Sequence, residues 1–87
     1  MNLPILYIKQ GCPWCLDALE YFKKINLSVD VVDVINNPTK MAELVKCSDQ
    51  NKTPTLKNEE FVVSDFDIKE FKQAMLENPE EAKKLGL

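Results

Sequence analysis

Histidine does not occur among the 87 residues, which removes every His-based catalytic triad, His-ligated metal site and imidazole general base. Thiols, carboxylates, amines and backbone amides are left to carry any chemistry. The three cysteines are too few, and odd in number, for a disulfide framework. No stretch approaches the roughly eighteen apolar residues of a membrane span. The segment Met1 to Lys9 lacks the charged leader, long apolar run and small-residue cleavage site of a secretory signal. A reducing cytoplasm is therefore the expected location, with no membrane partner. Long charge runs are missing as well: 11 basic against 14 acidic residues leave a net charge of −3. A phosphate backbone finds little to hold, so nucleic acid is not an expected partner. The length excludes a two-domain enzyme and predicts one domain over residues 1–87. At 45% hydrophobic and 29% charged, the chain has the balance of a folded globular protein.

What is present has a regular order. Leu3 to Ile8 is an apolar, β-favouring run that meets Lys9-Gln10-Gly11, a strand ending in a turn. From Pro13, the residues Cys15, Leu16, Leu19 and Phe22 predict the apolar stripe of a helix, with Asp17, Glu20, Lys23 and Lys24 on its solvated face. Val29 to Val34 is β-branched and predicts a second strand, parallel to the first because a helix connects them. Asn37-Pro38 opens a helix carrying Met41, Leu44 and Val45 and ending near Cys47 to Asp49. Thr55-Leu56-Lys57 and Phe61-Val62-Val63 flank a short polar turn, as an antiparallel hairpin does. Ser64-x-x-Asp67 has the spacing of an N-cap box for a helix with the stripe Ile68, Phe71 and Met75. Asn78-Pro79-Glu80-Glu81 starts a last short helix with Ala82 and Leu85. The order βαβαββαα implies an α/β fold, one four-stranded mixed sheet with helices on both faces.

Cys12-Pro13-Trp14-Cys15 lies where the first strand gives way to the first helix. The first turn of a helix offers unpaired amides and about half a positive charge, both of which favour a thiolate. Cys12 stands outside the helix, with Lys9 three residues earlier as a further positive charge. Thiols in such settings titrate between roughly 3.5 and 7.5 instead of near 8.5. Cys15, one turn further in, is expected to be more buried and less acidic, suited to resolve a mixed disulfide. Pro13 fits the first helical position, and Trp14 offers a flat apolar contact to a substrate. A structural zinc site needs two further Cys or His ligands and only Cys47 remains, so no metal is expected. Cys47 itself reads as a lone buried cysteine, and Tyr7 and Tyr21 as packing residues with wet hydroxyls. Lys52-Thr53-Pro54-Thr55 places a proline directly before a strand; a cis bond there lets the Thr53 backbone face an extended substrate.

From Leu3 to Met75 the chain resembles glutaredoxins, within the thioredoxin superfamily. Their Cys-Pro-Tyr-Cys corresponds to Cys12-Pro13-Trp14-Cys15, their lysine three residues before to Lys9, and their Thr-Val-Pro to Lys52-Thr53-Pro54. The resemblance implies a thioredoxin-like fold with a cis peptide at Pro54. It also implies a thiol-disulfide oxidoreductase that reduces protein disulfides and glutathione mixed disulfides, with glutathione as electron donor and co-substrate. No tightly bound cofactor and a monomeric chain are the accompanying expectations. The family's Gly-Gly, then an aromatic or cysteine, then Asp becomes Ser64-Asp65-Phe66-Asp67. In the family this helix start receives the γ-glutamyl carboxylate of glutathione; here Asp65 opposes that carboxylate and neither glycine remains. Thr53-Pro54-Thr55-Leu56 is also similar to the Pro-Thr-Leu of thioredoxins, so a glutaredoxin-like redoxin reduced by thioredoxin reductase is the alternative. A glutathione-ligated iron–sulfur carrier is a third class, disfavoured by Pro13 and an intact Cys15.

Overall fold

The computed structural model describes residues 3–87. The elements follow in the order β1 (Ile5–Ile8), α1 (Pro13–Lys24), β2 (Asp30–Asp33), α2 (Pro38–Ser48), β3 (Thr55–Asn58), β4 (Phe61–Val63), α3 (Ile68–Glu77) and α4 (Pro79–Lys84). The strands form one sheet in the order β2-β1-β3-β4. β1 pairs in parallel with β2 and antiparallel with β3, and β3 pairs antiparallel with β4. This is the expected α/β arrangement.

Alternation along β1 divides the core. Leu6 points to one face, where it joins Ala18 and Phe22 of α1, Phe71 of α3, Leu56 and Phe66. Tyr7 points to the other, against Val34 and Leu44 of α2. The helices begin where the sequence supplies caps. The Asn37 side chain accepts from the Lys40 amide at 3.3 Å, and Pro38 occupies the first turn of α2. At the far end Asp49 closes the helix in the left-handed conformation.

The structure corrects the sequence reading at several points. β1 starts at Ile5, not Leu3, which is exposed. β2 spans four residues within the expected Val29–Val34, and as an edge strand it leaves Val31 exposed. Leu16 lies on the outside of α1: the buried stripe is Cys15, Ala18 and Phe22, at spacings of three and four. Val45 likewise faces outward, leaving Leu44 as the buried residue of α2. The cap of α3 is Asp67, not Ser64. Its carboxylate accepts from the Glu70 amide at 2.7 Å and the Glu70 side chain accepts from the Asp67 amide at 3.1 Å, so the box lies one turn later. Phe66 is drawn into the core, which keeps residues 64–66 in a loop.

Candidate functional site

The site is built from three chain segments. β1 ends in a turn whose Gly11 has φ of 82°, a conformation that favours glycine. This turn delivers Cys12 to the start of α1, where the Cys12 amide donates to the Lys9 carbonyl at 3.2 Å. Cys12 is the N-cap residue: its backbone is extended and its carbonyl accepts the Leu16 amide at 3.2 Å. Its sulfur takes the place of the usual capping oxygen, accepting the Cys15 amide at 3.3 Å. Pro13 sits in the first turn, where no partner is needed for its nitrogen.

The second segment is the loop before β3. The Thr53–Pro54 peptide is cis, as expected. The Thr53 hydroxyl donates to the Cys12 sulfur at 3.9 Å, and the Cys12 thiol donates to the Thr53 carbonyl at 3.9 Å. The third segment is the approach to α3. Here the Asp65 amide donates to the Thr55 hydroxyl at 3.3 Å and the Phe66 amide to the Pro54 carbonyl at 3.2 Å. Two hydrogen bonds therefore tie residues 65–66 to the proline loop. The Asp65 carboxylate stands 4.0 Å from the Lys52 ammonium, both side chains being more than half exposed.

Both members of the dithiol pair are free thiols with different environments. Burial pushes the Cys12 thiol up, but hydrogen bonds from the Cys15 side chain and amide, the Thr53 hydroxyl and the Trp14 amide outweigh it, so Cys12 is held below the usual thiol range. Cys15 is 2% exposed. Burial and its interaction with Cys12 push it above that range. The pair is thus divided into a more acidic outer thiol and a less acidic inner one, the division the sequence predicts. Hydrogen bonding is what lowers Cys12, and Lys9 supplies its carbonyl to the turn that presents it.

Of the remaining expected site residues, Trp14 is 59% exposed beside Cys12, with its ring free for contact. Thr53 is brought to the sulfur, and Pro54 is buried next to it in the loop. Ser64 and Asp65 lie exposed on the loop before α3, and the Asp67 carboxylate is engaged in its own helix cap. Phe66 is corrected: only 2% exposed, it packs on Phe22 and Phe71 and presents no side chain to a substrate. The sequence reading misses Gln50 and the buried hydroxyl of Thr55, which join the proline loop to its neighbours. Polar residues flanking a proline before a strand are the available signal.

Cys47 and Tyr7 are on the α2 face. A cavity of about 660 Å³ there is lined by Tyr7, Glu43, Cys47 and Lys57, among others, and shares no residue with the dithiol site. The half-buried Cys47 thiol donates to the Leu44 carbonyl at 3.4 Å, and burial pushes it up despite the nearby Lys57 ammonium. Tyr7 is 1% exposed. Burial, with the proximity of Cys47 and Glu43, raises its hydroxyl from 10.0 to about 12. An unfolded chain loses this proton first, so stability present below pH 10 declines as pH rises toward 12. Tyr7→Phe is expected to flatten that decline, read as urea midpoints at a series of alkaline pH values.

A glutaredoxin family model matches residues 5–62, two thirds of the chain and including both cysteines of the site. The chain belongs to the glutaredoxin family. Among solved structures, the thioredoxin-like protein BC3987 is 27% identical, with a TM-score of 0.73 over 80% of this chain and 96% of that one. The glutaredoxin grx-1 from Archaeoglobus fulgidus, 17% identical, has the same TM-score of 0.73 over 84% of this chain and 85% of its own, a likeness of fold. No curated protein sequence matches the chain. The family and the fold support a thiol redox function. Among the described residues no helix is long and apolar enough to cross a membrane, and no cluster of three or more cysteines and carboxylates is placed to hold a metal ion.

Proposed function

We propose that the chain is a dithiol thiol-disulfide oxidoreductase of a reducing compartment, acting on protein disulfides or glutathione mixed disulfides. The observation that carries this reading is the Cys12 sulfur serving as the N-cap of α1, with Cys15 buried one turn behind it. Thiolate Cys12 attacks one sulfur of the substrate disulfide, forming a mixed disulfide and releasing the other sulfur as a thiolate. Cys12 then carries no negative charge and no longer makes the interactions that push Cys15 up. Cys15 loses its proton more readily, attacks the Cys12 sulfur and releases the reduced substrate, leaving a Cys12–Cys15 disulfide. Two electrons from a donor return the pair to thiols. Trp14 and the Thr53 backbone align the substrate beside the sulfur.

Glutathione is the donor we propose, two molecules giving up one electron each as they join in a disulfide. The alternative donor, thioredoxin reductase, is favoured by one observation. At the approach to α3 the amides of Asp65, Phe66, Asp67 and Glu70 are already engaged by Thr55, Pro54, Glu70 and Asp67. An incoming carboxylate finds those donors occupied and the Asp65 carboxylate beside them.

Turnover of a small glutathione mixed disulfide, with glutathione, glutathione reductase and NADPH, separates the donors. Robust turnover supports glutathione. Its absence, with Cys12 readily alkylated near neutral pH, supports the reductase. In either case Asp65→Gly is expected to tighten glutathione binding several-fold by titration, since it removes an opposing carboxylate and frees close approach. Asp65 has φ of 49°, so glycine relieves left-handed strain while adding unfolded-chain entropy. The two effects offset to within about 1 kcal/mol. An unchanged or weaker affinity would refute the role given to Asp65.

A further inference from the structure

The loop between α2 and β3 is held by a set of side-chain hydrogen bonds in which neither cysteine of the pair takes part. Thr55 is fully buried, and its hydroxyl uses every hydrogen-bonding position it has. It donates to the Lys52 carbonyl at 2.9 Å and accepts from Gln50 Nε2 and from the Asp65 amide, each at 3.3 Å. The orientation of the Gln50 carboxamide follows from the same logic. The Lys52 amide can only donate, so it meets Gln50 Oε1. That leaves the Gln50 amino group for Thr55 and for Ser48 Oγ at 2.8 Å. Ser48 in turn donates to the Leu44 carbonyl at 2.6 Å, anchoring the set to the last turn of α2.

Lys52 is thereby gripped at both its amide and its carbonyl. The next residue is Thr53, whose hydroxyl and carbonyl both lie 3.9 Å from the Cys12 sulfur. Hydrogen bonds to sulfur at that distance are long, and a shift of a few tenths of an ångström decides whether they persist. Ser48 Oγ also meets the Gln50 carbonyl at 3.2 Å, a second tie from the loop to α2, and the Thr55 hydroxyl is the side-chain group that ties the loop to the Asp65 amide.

We propose that Gln50 and Thr55 are positioning residues, which fix the Lys52 backbone between α2 and α3 and so hold Thr53 at the Cys12 sulfur. The proposal rests on the dithiol reading of Cys12 and extends it to two residues that touch neither sulfur nor substrate. Its chemical consequence is that the acidity of the outer thiol is set partly from the far side of the loop, through Thr53.

The test is the pH profile of Cys12 alkylation by iodoacetamide, followed by mass spectrometry, with the thermal midpoint measured on the same samples. Thr55→Val keeps the shape and removes the hydroxyl; Thr55→Ser restores it; Gln50→Ala removes the second member. Thr55→Val and Gln50→Ala are expected to move the Cys12 profile up by half a pH unit or more, about threefold in thiolate fraction below the midpoint. Thr55→Ser is expected to keep the parental profile. In a Thr53→Val background, Thr55→Val should shift the profile no further, because the hydrogen bond it acts through is already gone. A lower thermal midpoint with an unmoved profile in both variants would overturn the proposal, showing a merely structural role, while turnover by the parent chain would leave the dithiol reading standing. An ordinary thiol profile in the parent chain would sink both. Should Thr55→Val fail to fold, Gln50→Ala at the half-buried rim answers the same question: a raised profile supports the positioning role and an unmoved one overturns it.

Discussion

Cys12→Ser is expected to reduce disulfide exchange to the uncatalysed level, whereas Cys15→Ser is expected to accumulate a mixed disulfide on Cys12. The two outcomes differ because the two sulfurs, neighbours at the N-terminus of α1, do different work. Cys12 is the residue whose sulfur receives the Cys15 amide and the Thr53 hydroxyl. A serine oxygen in its place keeps the helix cap but is far too weakly acidic to attack a disulfide near neutral pH. Cys15→Ser retains that capping amide, since the donor is backbone, and leaves the outer thiolate competent. The first step then proceeds and the second has no nucleophile. Mass spectrometry of the intact chain after exposure to a glutathione mixed disulfide should show one glutathione adduct in Cys15→Ser and none on position 12 in Cys12→Ser. Full exchange activity without Cys12 would end the mechanism.

The largest expected effect on folding is at Phe71. It is fully buried and its ring lies 5.0 Å from Phe22, 5.5 Å from Phe66 and 6.0 Å from Tyr21, with edge-on packing against Phe22 and Tyr21. Phe71→Ala removes the common member of this aromatic group and opens a cavity between α1 and α3. Losses of about 3–5 kcal/mol accompany such truncations, against a total of about 5–15 kcal/mol for a typical domain. Urea denaturation should show a midpoint lowered in proportion, with Leu76→Ala, at a position 76% exposed, as a control that changes stability by no more than about 0.5 kcal/mol. Because Phe66 rests on Phe71 and immediately follows Asp65, the same truncation should also loosen the approach to α3. A small change at Phe71 would mean that Phe22 and Phe66 close over the gap.

Periodicity, punctuation and cysteine spacing make most of the fold legible. Pro13, Pro38 and Pro79 each stand in the first turn of a helix, and the β-branched runs are strands. Both cysteines and the proline loop are recoverable because they lie on segments whose local signals are strong. The misses have a shared cause. Neighbour spacing places Leu16 and Val45 inward, yet helix rotation is fixed by which side meets the sheet, and in α1 small Ala18 is the residue that does. Ser64 has the spelling of a cap, a serine three residues before an acid, while burial of Phe66 moves the helix start to Asp67. The Gln50–Thr55 contacts are tertiary: their members are ordinary polar residues until the chain brings Lys52 and Asp65 to them.

The border of the sheet at β2 carries a charge pattern that disfavours pairing with a copy of itself. Its sequence, Asp30-Val31-Val32-Asp33, places an aspartate at each end of a strand whose outer hydrogen-bonding groups have no neighbouring strand among the described residues. Two such strands meeting head to tail in register would set Asp30 of each against Asp33 of the other, and like charges directly opposite one another repel. The two valines between them are the attractive element, and Val31 is exposed. The aspartates act as gatekeepers over that sticky pair. Removing their charge, as Asp30→Asn with Asp33→Asn, would turn a solubilising margin into a template for sheet extension.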